Sequence, residues 1–167
     1  VCVGRLERSK GVYLLLDALE LIHSALDGSR LGQWSAIYYG VGAEEEKLRK
    51  MIEVKGLGRF VDVKHSPRMY DVLKTTSIFV SPHLVENNPS QSLLEAMACE
   101  NAVVVTDVGD TRLMLSDEHG LIVNADKYVK GFIILIECIS IYFVLGSSFT
   151  YLLIITYPII FGFTIFS

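Results

Sequence analysis

Ile78-Phe79-Val80-Ser81-Pro82-His83-Leu84-Val85-Glu86-Asn87-Asn88-Pro89-Ser90-Gln91-Ser92-Leu93-Leu94-Glu95-Ala96-Met97-Ala98-Cys99, followed closely by Ala102-Val103-Val104-Val105-Thr106, reads as strand, polar loop, helix and strand. The apolar runs are too short for helices and rich in β-branched residues, whereas the stretch between them carries its apolar residues at helical spacing. A strand, a crossover helix and a second strand make a parallel βαβ unit with a right-handed connection.

The same alternation extends to both sides. Val1 to Val3 is a strand ended by Gly4, and Leu14, Leu15, Ala18, Leu19, Leu21, Ile22 and Leu26 recur at helical spacing. Further strands are expected at Trp34 to Tyr39, Phe60 to Val63 and Leu121 to Val123. Helices are expected from Ala43 to Val54, Met69 to Lys74 and Thr111 to Leu115. The fold class is therefore α/β, a Rossmann-like parallel sheet with helices on both faces. Ligands of such sheets sit beyond the carboxyl ends of the strands, so the loops after Val3, Tyr39, Val63, Val80 and Thr106 carry any chemistry.

Composition bounds the function. The net charge of −4 offers no basic field for nucleic acid. Cys2, Cys99 and Cys138 lie far apart and form no metal or disulfide framework, which points to a reducing compartment. No signal peptide opens the chain, and a start inside an apolar strand suggests that residues are missing upstream. Glu44-Glu45-Glu46-Lys47-Leu48-Arg49-Lys50 has the spacing of a solvated helix face.

Residues 1–126 form the expected soluble domain, and 127–167 a separate apolar tail. Every Lys and Arg lies in residues 1–130, and Glu137 is the sole charged side chain from Gly131 to Ser167. The tail has the length of one long transmembrane helix, or of two turning at Gly146-Ser147-Ser148, flanked by Lys127 and Lys130 on the cytosolic side. The plainer reading is non-native sequence, from a retained intron or frameshift, in place of the true C-terminus.

Four loops come into question as ligand sites. In Gly4-Arg5-Leu6-Glu7-Arg8-Ser9-Lys10-Gly11, Arg5 and Lys10 can converge on one anion, the guanidinium as a fork and the ammonium as a point charge. Ser9 is placed to cap the following helix. The bland alternative is a basic surface loop. Gly40-Val41-Gly42 is a lone GxG, which a tight strand-to-helix turn needs anyway. In the third loop, Glu86 and Glu95 can face one ligand and accept hydrogen bonds from sugar or ribose hydroxyls. Either Ser92 caps the helix, with Glu95 closing a capping box, or Asn88 caps it with Pro89 first and Glu95 left for ligand. Composition does not choose between them. His83 can donate to a phosphate or simply fill a partly buried loop. Asp107-Val108-Gly109-Asp110-Thr111 could present helix amides to a diphosphate, and capping by Asp110 explains the same residues. No Ser-His-Asp order, zinc spacing or complete phosphate-loop motif appears.

Taken together, these loops resemble the C-terminal domain of family 4 glycosyltransferases (group 1), which are retaining enzymes of the two-domain GT-B fold. The matching stretches are Val3-Gly4-Arg5-Leu6 with Lys10-Gly11, Gly40-Val41-Gly42, Ile78 to Pro82, Glu86-Asn87-Asn88-Pro89, Ser92 to Ala98, Val103 to Gly109 and Gly120 to Val123, in family order across residues 1–124. The resemblance implies that Arg5 and Lys10 hold the donor diphosphate, that Glu95 bonds the ribose hydroxyls and that Glu86 contacts the transferred sugar. It implies a nucleotide-sugar donor, a glycan or lipid acceptor bound by a domain absent from this sequence, and no catalytic metal or other cofactor. Independently of the resemblance, the cysteine usage points to a cytoplasmic site, with membrane attachment through residues 131–167 on the cytosolic face as one reading of the tail. Glu86 and Glu95 stand one residue further apart than the family's pair, and the extra residue falls at Ser90 or Gln91. Two other classes compete: a noncatalytic nucleotide-binding or membrane-tethered module with a vestigial site, and a dehydrogenase-like Rossmann enzyme. The latter is disfavoured because no GxGxxG follows the first strand.

Overall fold

A computed structural model describes residues 1–26, 34–85, 90–116 and 118–123. Strands β1 (Cys2–Val3), β2 (Ala36–Tyr39), β3 (Val61–Lys64), β4 (Ile78–Ser81), β5 (Ala102–Thr106) and β6 (Leu121–Val123) alternate with helices α1 (Val12–Leu26), α2 (Glu45–Val54), α3 (Met69–Leu73), α4 (Gln91–Ala98) and α5 (Thr111–Met114). All paired strands are parallel, in the orders β1-β2-β3 and β4-β5-β6. The Val80 N–H donates to the Val1 carbonyl at 2.7 Å, which sets β4 beside β1. The continuous order is therefore β3-β2-β1-β4-β5-β6, and the direction of winding reverses between β1 and β4. This is the doubly wound arrangement whose crevice opens at the reversal.

Strand periodicity divides the core in two. Cys2, Val80, Val104 and Val123 face one side with Leu15, Leu16, Leu19 and Ile22 of α1 and Leu48 and Ile52 of α2. Phe79, Val103, Val105 and Ile122 face the other, with Leu73 of α3 and Leu93 and Ala96 of α4. Neighbouring residues of one strand thus enter opposite cores, which is why Val103-Val104-Val105 of β5 is an unbroken apolar run. Tyr38 is wholly buried, and its hydroxyl donates to the Val12 carbonyl at 3.0 Å, tying the start of α1 to β2. Burial pushes that phenol well above its ordinary value.

The elements agree with the sequence pattern, with local corrections. Trp34 precedes β2 instead of opening it, and stacks on Phe60 with ring centroids 5.2 Å apart. Ser9 does not cap α1. It belongs to a 3₁₀ turn (Arg8–Lys10) ahead of that helix, and its hydroxyl meets the Glu7 carboxylate. The charged run forms a solvated helix face from Glu45 onward, with an Arg49–Glu45 pair at 3.0 Å, while Glu44 precedes the helix. Residues of the apolar tail lie outside the described ones. No helix among the described residues is long and apolar enough to cross a membrane.

Candidate donor-binding cleft

The first wall of the cleft is the turn after β1. Gly4 N–H donates to the Tyr39 carbonyl at 3.0 Å and Leu6 N–H to that of Val41 at 2.9 Å, so the chain leaving β1 runs beside the loop after β2. That approach excludes side chains at Gly40 and Gly42. A Cβ at Gly40 would lie 1.8 Å from the Gly4 oxygen, and one at Gly42 2.3 Å from that of Leu6. The GxG is thus a packing feature between two loops. Leu6, only 2 % exposed, plugs the core, so the turn through Arg5 and Lys10 is anchored in its middle.

The second wall is the loop after β4. Thr106 donates its hydroxyl to the carbonyls of Ser81 (3.3 Å) and His83 (2.6 Å), and the Leu84 N–H donates to Ser9 at 2.9 Å. Ser81 and His83 are buried as a result. The two loops that flank the reversal point are therefore bonded to each other.

The third wall is the first turn of α4. Its cap is Ser90, whose side chain accepts from the Leu93 N–H at 3.4 Å. This corrects both expected registers: neither Ser92 nor Asn88 is the cap. Burial of Leu93 and Ala96 against β4 and β5 sets the phase of the helix. With the start at Gln91, Glu95 lies beyond the capping positions and its carboxylate is not engaged by the helix end. Gln91 donates its amide to Glu95 Oε1 at 2.7 Å instead. Ser92 Oγ approaches the Val3 carbonyl at 3.5 Å, joining α4 to β1.

Val3, Gly4, Arg5, Lys10, His83, Ser90, Gln91, Ser92 and Glu95 enclose an open cleft of about 440 Å³. Its volume suits a small-molecule ligand. Arg5 is exposed and pairs with Glu7 at 2.9 Å, a screened contact of little energy that an anion can replace. Lys10 is held below its ordinary value by burial, with the Arg5 charge adding to the effect and Glu7 opposing it. Burial, assisted by the Lys10 charge, lowers the His83 imidazole to about 4. His83 is therefore neutral near pH 7 and has one N–H to donate. The reading of a partly buried loop histidine holds, and the residue also lines the cleft.

Of the four residues singled out for the site, Arg5, Lys10 and Glu95 share this cleft, while Glu86 lies outside the described residues. Sequence reasoning missed Gln91 as a neighbour of Glu95, although their i,i+4 spacing signals it. Asp107 to Thr111 do not contribute to the cleft. Asp107 pairs with Arg112 at 2.9 Å, Asp110 makes no side-chain cap bond, and α5 is only four residues long.

Comparison with known proteins settles the family. The model of glycosyl transferases group 1 matches residues 1–139. The chain belongs to this family. TarM of S. aureus, solved with fondaparinux, alpha-GlcNAc-glycerol and UDP, superimposes at TM-score 0.66 and 22% identity, over 81% of this chain and 27% of that one. The C-terminal domain of the group 1 protein LpcC from Francisella tularensis gives 0.65 and 19%, over 81% and 74%. Anabaena HepE in complex with UDP gives 0.69 and 20%, over 83% and 38%. At these identities the likeness is one of fold, and the group 1 chain described here spans little more than a quarter of TarM. No curated protein matches the sequence. This group 1 domain thus has the Rossmann-like architecture of the C-terminal half of GT-B glycosyltransferases, with its cleft at the reversal point of the sheet.

Proposed function

We propose that this domain is the donor-binding portion of a retaining glycosyltransferase, which moves a sugar from a nucleotide-diphosphate sugar to a glycan or lipid acceptor. The observation that carries the reading is the charge pattern of one cleft: Arg5 and Lys10 on one wall, Glu95 on the other, and neutral His83 between them. Cations that converge from one turn suit a diphosphate, and a carboxylate suits the vicinal hydroxyls of a ribose. The UDP complexes of TarM and HepE support a nucleoside diphosphate as ligand.

In this reading the bond between the anomeric carbon and the donor phosphate oxygen breaks, the carbon bonds the acceptor oxygen on the same face, and the acceptor's hydroxyl proton leaves with the diphosphate. Charge grows on the departing diphosphate. Arg5 and Lys10, carried on the turn that Leu6 anchors, stabilise that charge, Arg5 by exchanging Glu7 for the diphosphate. No catalytic metal is required for this role. Glu86 contacts the transferred sugar, and the acceptor binds on a second domain outside this sequence.

Calorimetric titration of UDP, GDP and ADP into the full chain tests the proposal. The expected result is saturable binding of one of them, weakened roughly tenfold by Arg5→Ala and by Lys10→Ala, the loss of one charged hydrogen bond each. A folded chain that binds none of the three would overturn it. Saturable binding without transfer, once an acceptor-binding domain is supplied, would favour the noncatalytic module instead.

A further inference from the structure

The turn that carries Arg5 and Lys10 is held from outside the cleft by one residue. Glu44 precedes α2 and occupies its N-cap position, yet its side chain makes no bond to its own helix. Its three polar groups reach the turn after β1 and the first turn of α1 instead. The backbone N–H donates to the Leu6 carbonyl at 3.0 Å. One carboxylate oxygen accepts from Arg8 Nε at 3.1 Å, and the other accepts from the Tyr13 hydroxyl. Lys47 stands 5.0 Å from the centroid of the Tyr13 ring and closes the far side of the cluster.

Leu6 and Arg8 lie between the two cleft cations, and Tyr13 lies just beyond them. The carboxylate thus spans the turn from its middle to the first turn of α1. The Glu44 side chain is only 18% exposed although Arg8 is 71% exposed, so the acid is the better covered partner. An acid at this position ordinarily supports its own helix. We infer that Glu44 is a positioning residue, which fixes the turn bearing Arg5 and Lys10 in the shape that receives a diphosphate. The inference rests on the donor-binding reading for its ligand, and on the geometry alone for its mechanical part. Without the carboxylate, Arg8 and Tyr13 lose the partner they share across the turn, and the amides of Lys10 and Gly11 rest on bonds within the turn, to Glu7 and Arg8.

The test uses the full chain with Glu44→Ala, and with Arg8→Ala and Tyr13→Phe, which each remove one arm should Glu44→Ala fail to fold. UDP and uridine are titrated, and amide hydrogen exchange is followed in residues 6–11. The expected result for Glu44→Ala is UDP affinity reduced roughly tenfold, uridine affinity unchanged, and faster exchange at Leu6, Lys10 and Gly11 with Val103 to Val105 as protected as before. The single-arm variants show smaller changes of the same kind. Unchanged exchange in the turn overturns the inference, as does an equal loss of UDP and uridine affinity, which a merely structural role would produce. A parent chain that binds GDP or ADP and not UDP is tested with that nucleotide and its nucleoside; one that binds none of the three refutes the donor-binding reading, and the exchange data then decide by themselves whether Glu44 holds the turn.

Discussion

Gly11 packs so tightly on Pro82 that a Cβ on the glycine would lie 1.7 Å from the proline carbonyl oxygen. Its φ of 68° is left-handed as well, where it ends the 3₁₀ turn. Both constraints act where the loop after β1 meets the loop after β4, the two walls of the cleft. Gly11→Ala is therefore expected to destabilise the domain by at least about 2 kcal/mol, through left-handed strain and backbone displacement together. Thermal unfolding reads this as a Tm lowered by roughly 5 °C or more. UDP affinity falls too, because Lys10 is displaced with its neighbour. A variant of unchanged Tm would show that the two loops separate at no cost.

The Gln91–Glu95 pair leaves Glu95 with one carboxylate oxygen not engaged by Gln91. Glu95→Gln is expected to keep the fold, since the residue is beyond the capping turn, and to weaken UDP roughly tenfold or more by loss of a charged acceptor for ribose hydroxyls. The control is 2′,3′-dideoxy-UDP, which lacks those hydroxyls and should bind both proteins equally. Equal losses for both ligands would remove Glu95 from the ribose.

Much of this was legible because parallel strands buried on both faces are short apolar runs. Val103-Val104-Val105 announces β5, whose neighbours enter opposite cores. The cleft cations were legible as well, since Arg5 and Lys10 follow directly on a strand end. The cap of α4 was not. Ser92, Asn88 and Ser90 all have capping side chains within one turn, and only the burial of Leu93 and Ala96 selects the phase. The role of Glu44 was hidden for a similar reason: in sequence it is the first acid of a solvated run, and its partners Arg8 and Tyr13 lie more than thirty residues away.

His83 gives the fold a dependence on pH. The folded imidazole protonates only near 4, against about 6.5 for the ordinary group. Between these values the unfolded chain takes up a proton that the folded chain refuses, so stability falls as the pH is lowered from about 6.5 towards 4. One such group contributes a slope of at most ~1.4 kcal/mol per pH unit. In His83→Gln the slope of unfolding free energy against pH should flatten in this window relative to the parent, while carboxylates titrating there affect both proteins alike. Urea unfolding at several pH values measures it. Parallel curves for the two proteins would mean that His83 is free to protonate in the folded state.

Glu100 has a φ of 60°, and among the described residues it is the one non-glycine with a positive φ. It follows Cys99, the C-cap of α4. The Glu100 N–H bonds the Met97 carbonyl at 3.0 Å, and the Asn101 N–H bonds that of Ala96 at 3.1 Å. These two bonds are the Schellman pattern, whose left-handed position glycine usually fills. Glutamate there has a Cβ crowded against its own backbone, and among the described residues no ion pair or side-chain hydrogen bond of Glu100 offsets this. Glu100→Gly should therefore stabilise the domain by about 1 kcal/mol, less whatever entropy the added freedom of the unfolded glycine costs. The expected signature is a higher urea midpoint at unchanged m-value, with UDP affinity unaffected because the site is at the opposite end of α4. Glu100→Val should move the midpoint the other way, since a β-branched residue tolerates this conformation least. If both substitutions left the midpoint where it is, the turn would have to relax without cost, and the helix end would not be a source of strain.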